Sequence, residues 1–327
     1  MKRGWTGVLI VFSFWYGLHV SEAAAAEPDY PVKPVEITVA SAPGGGTDLG
    51  ARAVAEKLRE SLGQEFVVIN KSGGGHRVTM TLLSRTKPDG YTLGALPDES
   101  IVHVPFVEKV NYKPLDYTFL ATFGRMDFGF FVMPDSPFKS LKDMIEFARA
   151  NPNKLSFGVT EVNSRTHVAL MALCQAEGLK INIVPFMGAA PTTMALMGGH
   201  VMVAGSGASG FARHVKSKTV RLLAMVSHER LDEYPEVPTL KELGYPKLVF
   251  EGIYVFVGPK NLSKSVVTRL EGAMRTAIES PTFIKVATQA GIYQKRALYG
   301  DELKETLAKR YAENENTIKA LGLKPKE

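Results

Sequence analysis

Glycine-rich turns, standing where an apolar β-branched run gives way to an amphipathic stretch, constrain this chain more than any other feature. Runs of this kind alternate with amphipathic stretches from Val35 onward. That alternation is the signature of βαβ units and a mostly parallel sheet. In the first half, Val35–Ala40, Phe66–Ile69 and Tyr91–Leu96 are expected strands. Thr47–Leu62 and Thr79–Arg85 are expected helices; Leu49, Ala53, Leu58 and Leu62 share one helical face, and Gly63 is a stop.

The pattern resets after about residue 125. Phe128–Met133, Leu155–Val159, Ile181–Pro185, His200–Ala204, Val220–Ser227 and Phe250–Val257 are the later expected strands. The helices among them are expected at Ser140–Ala150, Thr166–Glu177 and Ala190–Met197. Three helical stretches, Ser263–Glu279, Pro281–Ala290 and Asp301–Leu321, close the chain with no further sheet of their own. A helix must bury its apolar stripe somewhere, so the tail is expected to return to the first sheet. The organisation that follows is two α/β lobes with mainly parallel sheets, joined by two hinge crossovers. Lobe 1 would comprise residues 27–127 and 255–327, and lobe 2 residues 128–254.

The first 26 residues have the layout of a secretory signal peptide: basic Lys2 and Arg3, an apolar stretch Gly4–Val20, then the small residues Ala23–Ala26. The expectation is export to the periplasm. Removing them takes away Lys2, Arg3 and Glu22 and leaves a net charge of +5. This modest excess carries no dense Lys/Arg block, so a nucleic-acid partner is not expected. The only cysteine, Cys174, rules out an intramolecular disulfide and is expected to be a buried small hydrophobe.

Four strand-to-helix loops could carry chemistry. The first, Ala42–Asp48, holds Pro43, Gly44, Gly45 and Gly46. Its glycines allow close backbone approach, and the helix start presents unpaired amides suited to an anion; Thr47 or Asp48 could instead cap the helix. The second, Asn70–Arg77, is another glycine-rich loop at the same sheet edge, where ligands of open α/β sheets sit. The third, Gly158–His167, offers the hydroxyls of Thr160, Ser164 and Thr166 to a carboxylate, with helix capping by Ser164 as the alternative. The fourth, Pro185–Pro191, places Phe186, Gly188 and Ala189 where a pocket floor or a core contact would lie.

With these loops the chain resembles the receptor family of tripartite tricarboxylate transporters, also called Bug receptors. The resemblance rests on Tyr30–Pro34, Ala42–Asp48, Leu62–Gln64, Pro88–Leu93 and Thr166-His167, then on Pro185-Phe186 with Gly188, Ala189 and Pro191, on Gly199–Val201 and on Tyr234–Leu240. It implies a type II periplasmic binding-protein fold, a small carboxylate ligand, membrane permease subunits as partners, a monomer, no cofactor, no metal and no catalysis. It also implies ligand contacts at Pro43, Gly44, Gly45, Gly46, Asp48, Asp98, Ser100, Thr160, Ser164, Thr166, Phe186, Gly188 and Ala189. Asp98-Glu99 stands where small neutral residues are usual in that family, and Glu161, Asn163, His76-Arg77 and Met202 depart from it too. Unpaired acids facing the cleft would repel a polycarboxylate; Arg77 or Arg165 could pair with them. The expected ligand is therefore a monocarboxylate, or a carboxylate with a cationic or hydrogen-bond-donating group, rather than citrate.

Other functions fit less well. Gly205–Gly210 spells G-x-G-x-x-G after a strand, but the helix expected behind it is short for a dinucleotide-binding unit. No G-x-S-x-G or H-E-x-x-H occurs, and the seven histidines include no i,i+4 pair. A binding protein that hands its ligand to a signalling partner would have the same sequence features as a transport receptor.

Overall fold

A computed structural model describes residue 1 and residues 30–41, 43–71 and 77–322. The signal-peptide expectation, Ala42 and residues 72–76 of the second glycine loop lie outside these.

Two five-stranded mixed sheets organise the chain, ordered β2-β1-β3-β10-β4 and β7-β6-β8-β5-β9. The first contains β1 (Val35–Val39), β2 (Phe66–Asn70), β3 (Thr92–Pro97), β4 (Thr118–Met126) and β10 (Gly252–Gly258). The second contains β5 (Phe128–Val132), β6 (Ser156–Val159), β7 (Asn182–Pro185), β8 (Val203–Gly207) and β9 (Arg221–Met225). β1 runs parallel to β2 and β3, and β6 parallel to β7 and β8. One strand in each sheet departs from the parallel rule: β10 is antiparallel to both β3 and β4, and β5 to both β8 and β9. These are the two strands that enter from the other lobe, one just after Asp127 and the other at Gly252. A strand arriving from outside a βαβ series is not held to its direction.

Side-chain alternation assigns the faces of the first sheet. Along β10, Tyr254 and Phe256 join the core formed by Ile37, Val54, Leu58, Leu270 and Phe283. Ile253, Val255 and Val257 point the other way, to Met80, Leu303 and Leu307. The helices α9 (Lys264–Ile278), α10 (Pro281–Gln289) and α11 (Gly300–Ala320) therefore bury their apolar stripes on the first sheet. α11 lies on one face, and α9 and α10 lie on the other with α1 (Gly46–Leu62). In the second sheet, Phe128, Phe130 and Val132 of β5 pack with α5 (Leu141–Ala150) and α6 (Arg165–Glu177), while Phe131 meets Phe211 and Leu196. Each fully buried aromatic contributes about 1.5–3 kcal/mol of transfer free energy.

Local signals set the helix starts of lobe 2. Ser140 and Asp143 form a reciprocal capping box at α5, and Ser164 caps α6 by accepting from His167 N–H at 3.3 Å. α7 (Ala189–Met197) and α8 (Ala208–Lys216) begin behind glycines that have no side chain to cap with. Gly205 and Gly207 lie within β8, and the helix starts at Ala208. The first two glycines of G-x-G-x-x-G are thus strand residues, not a phosphate turn.

Candidate functional site

The cleft between the sheets receives the C-terminal ends of the parallel strands of both lobes. From lobe 1, β1 runs into the loop before α1. Gly44 adopts φ +81°, in the left-handed region that glycine enters without strain. Its N–H donates to Asp48 Oδ2 at 2.9 Å. Asp48 also accepts from Arg52 Nε and from Asn70 Nδ2, each at 2.9 Å. Burial alone would raise this carboxyl, but the bonds from Gly44, Asn70 and Arg52 hold it below its usual range. The Asp48 carboxylate is thus a brace that shapes the glycine loop. Gly45 is the N-cap of α1, in extended geometry at φ −76° and ψ 165°. The first-turn amides behind it have no intrahelical acceptor. Gly46 is packed so closely that an added Cβ would meet Ile292 at 2.8 Å and the Tyr254 hydroxyl at 3.0 Å.

From lobe 2, α8 points its N-terminus at the same space. A cavity of about 880 Å³ is lined by Gly44, Gly45 and Gly46 on one side, by Ala208 and Ser209 on the other, and by Arg125 and Asp127 between them. Two helix N-termini, each behind a glycine, thus open on one space from opposite lobes. Each helix dipole is equivalent to about half a positive charge at that end. A third glycine-started helix, α7, begins beside α8: a Cβ on Gly210 would stand 2.9 Å from the Ala189 methyl.

Asp127 lies at the crossing between the lobes and is 7% exposed. Burial pushes its carboxyl up to about 6 despite Arg125. Arg125 Nε stands 2.7 Å from Asp127 Oδ2, as an ion pair rather than an aligned hydrogen bond. At the rim, Arg125 bonds Glu233 at 2.8 Å and Lys295 meets Asp232 at 2.8 Å, both across the lobes.

The remaining expected site residues occupy distinct places. Pro43 is exposed, next to Gly44 in the chain. Asp98 is fully buried and ion-paired to Arg165, which is 1% exposed, at 2.8 Å. Ser100 is buried, and its hydroxyl donates to the Pro97 carbonyl. The Thr160 carbonyl accepts from Gly188 N–H at 2.9 Å, which ties the third loop to the fourth. The Ser164 hydroxyl donates to the Glu161 carbonyl at 2.9 Å and lies 3.2 Å from Thr166 Oγ1, so the capping alternative describes it. Thr166 is buried. Phe186 is half-buried against Gly158, as a lobe-2 core contact. Gly188, at φ +106°, and Ala189 start α7. Arg77 pairs with Glu108 at 3.1 Å, away from Asp98.

Sequence inspection missed Arg310, His103 and Asn314. Arg310 Nη1 stands 3.3 Å from Asp98 Oδ2. His103 Nε2 meets the Asn163 carbonyl of lobe 2 at 2.7 Å, while Nδ1 lies 3.4 Å from Asn314. Burial, the largest influence, holds this imidazole below the usual histidine range. A polar helix tail offers no sequence signal that one of its arginines turns inward.

A second interlobe groove, of about 600 Å³, is lined by Leu248, Phe250 and Thr317 and lacks glycine loops. Among the described residues no three His, Cys, Asp or Glu side chains gather as a metal site, and no helix is long and apolar enough to cross a membrane.

Known proteins share this fold. Residues 50–323 match the tripartite tricarboxylate transporter family receptor. A Cupriavidus necator protein, the UPF0065 protein in gbd 5'region, is 31% identical over 313 residues, covering 94% of this chain and 93% of its own. BugT of Bordetella pertussis is 29% identical, over 84% and 86% of the two chains. The solved structure of periplasmic binding protein BugD superposes with a TM-score of 0.77 at 25% identity, over 91% of this chain and all of that one. The R. palustris protein Rpa4515, solved with adipate, gives 0.79 at 25% identity over the same shares. Matched over most of its length in both sequence and fold, this chain belongs to the receptor family of the tripartite tricarboxylate transporters, a family of periplasmic solute-binding proteins.

Proposed function

We propose that the chain captures a small carboxylate between its lobes and delivers it to the membrane subunits of a tripartite transporter, without catalysis. One observation carries this: the glycine-started helices α1 and α8 open on one cavity from opposite lobes. A carboxylate there would accept from first-turn amides of both helices, and such charge-assisted bonds are roughly twice as strong as neutral ones. The adipate held by Rpa4515 supports the same ligand class.

In this mechanism the ligand binds first at the glycine loop of lobe 1. Closure then brings the α8 amides and removes water, which strengthens each polar contact. The chain acts as a monomer, and the permease subunits recognise the closed shape. The glycine loop lines this cavity, whereas Thr160, Ser164, Gly188 and Ala189 lie outside its lining. Asp48 and Asp98 act by shaping it.

A thermal-shift screen over a library of mono-, di- and tricarboxylates tests the proposal, because a ligand that binds only the native state raises apparent stability. The expected result is a concentration-dependent rise with a small carboxylate. No rise with any member, or a rise only with neutral solutes, would overturn it.

A further inference from the structure

A buried ion cluster between the lobes is left unused by the helix-start site; it lies behind a second cavity, lined by Arg310 and Ile253, that shares Arg125 and Asp127 with the glycine cavity. Asp98 stands at the end of β3 in lobe 1, and Arg165 opens α6 in lobe 2. Asp98 Oδ1 accepts from Arg165 Nη2 at 2.8 Å and from Ile253 N–H at 3.1 Å. Its Oδ2 faces Arg310 Nη1 at 3.3 Å. Arg165 Nη1 donates to the Glu251 carbonyl at 2.7 Å. Two guanidinium groups and a backbone amide converge on one carboxylate with no water-exposed face. That donor set is what a dry receptor site for a free carboxylate ion requires. Here the chain supplies the carboxylate itself, and the contact crosses from one lobe to the other.

We infer that Asp98 fills, from within the chain, a carboxylate subsite built by Arg165, Arg310 and the Ile253 amide, and so restricts the ligand to one carboxylate. This rests on the carboxylate assignment of the cleft. A second ligand carboxylate would have to compete with Asp98 for Arg165, whose Nε also lies 3.9 Å from Glu99 Oε1. The two carboxylates would then share one buried site, where like charges cannot both stay ionised cheaply, or Asp98 would remain buried with its closest guanidinium partner lost. Dicarboxylates are therefore refused by an occupied subsite, a repulsive element of specificity. The substrate class is small monocarboxylates, whose remainder lies in the cavity beside Asp127.

Hexanoate and adipate, matched in carbon count, provide the test by calorimetric titration of the full folded protein and Asp98→Ala. The wild type should bind hexanoate about tenfold or more tightly than adipate. Asp98→Ala should gain about tenfold or more for adipate relative to hexanoate. Acetate alone should raise the melting temperature of Asp98→Ala, by refilling the subsite, more than that of the wild type. If Asp98→Ala folds poorly, Asp98→Ser, which leaves a polar group in the buried site, carries the same comparison. Equal wild-type affinity for the two acids, or a variant that gains no adipate binding and no acetate response, overturns the inference. If neither the wild type nor the variant binds hexanoate or adipate, the carboxylate assignment of the cleft falls instead. The acetate response of the variant then decides the subsite separately, a response supporting it and none overturning it.

Discussion

Gly45 is the residue where stability and binding should separate. Its φ of −76° and ψ of 165° match the extended geometry of a side-chain-bearing N-cap, so Gly45→Asp introduces no backbone strain. The new carboxylate would accept from the first-turn amides of α1 and sit at the positive end of its dipole. Replacing glycine by aspartate at an N-cap gains a few tenths of a kcal/mol, and the dipole adds about 0.3–1 kcal/mol. The variant should therefore be about as stable as the wild type or slightly more so. Ligand binding should fail, because the amides are taken and a negative charge stands in the cavity. A hydrogen bond to a charged group contributes about 1.5–3 kcal/mol, so losing two weakens binding by roughly 3–6 kcal/mol. At about 1.4 kcal/mol per decade, that is two to four orders of magnitude in Kd. Gly45→Ala is the control: it leaves the amides free and should bind within a few-fold of wild type. Denaturant melts and calorimetry with the best library carboxylate give the two readouts. A Gly45→Asp protein that binds like the wild type would refute the assignment of the ligand to the α1 amides.

The carboxyl of Asp127 is raised by burial to about 6, against an ordinary value of 3.8. Between about pH 4 and pH 6 the native state thus holds a proton that the unfolded chain has lost, and stability falls as pH rises through this window. Asp127→Asn should be about 1–3 kcal/mol more stable than wild type at pH 8 and equal to it at pH 4, read by urea unfolding at each pH; no difference at pH 8 would contradict the buried charge. Ser140→Ala removes the α5 capping box and should cost about 1 kcal/mol in lobe-2 stability without changing ligand affinity, by the same two assays. The Cys174 thiol, pushed up to about 11 by burial, should resist a thiol reagent at pH 8 in the native protein and react after denaturation; fast native labelling would mean that the site is open.

The sheet-forming runs were legible in the sequence because β-branched alternation and turn glycines agree. The helix starts at Ser140 and Ser164 were legible because hydroxyl caps have a fixed grammar. β4 was not expected, although Thr118–Phe123 is aromatic and β-branched. It follows no turn glycine and belongs to no βαβ unit, since the strand it pairs with, β10, lies more than 120 residues later in the chain. The short helices Glu99–Val102 and Val104–Val107 were also missed, being too brief to show a period. At the site, the glycine loops announced themselves through composition. The partnership of Asp98 with Arg165 was one of two pairings the sequence left open. Arg310 joins it from a helix 212 residues away in the chain, and such a contact is set by tertiary packing, which no local pattern encodes.

A structure of the protein with its tightest-binding carboxylate bears most directly on the cleft. The ligand carboxylate is expected within hydrogen-bonding distance of the first-turn amides of α1, enclosed by α8 and leaving the Asp98–Arg165 pair intact. Density for the acid in the Leu248–Phe250 groove, or on the outer surface with the glycine cavity still solvent-filled, would contradict the account.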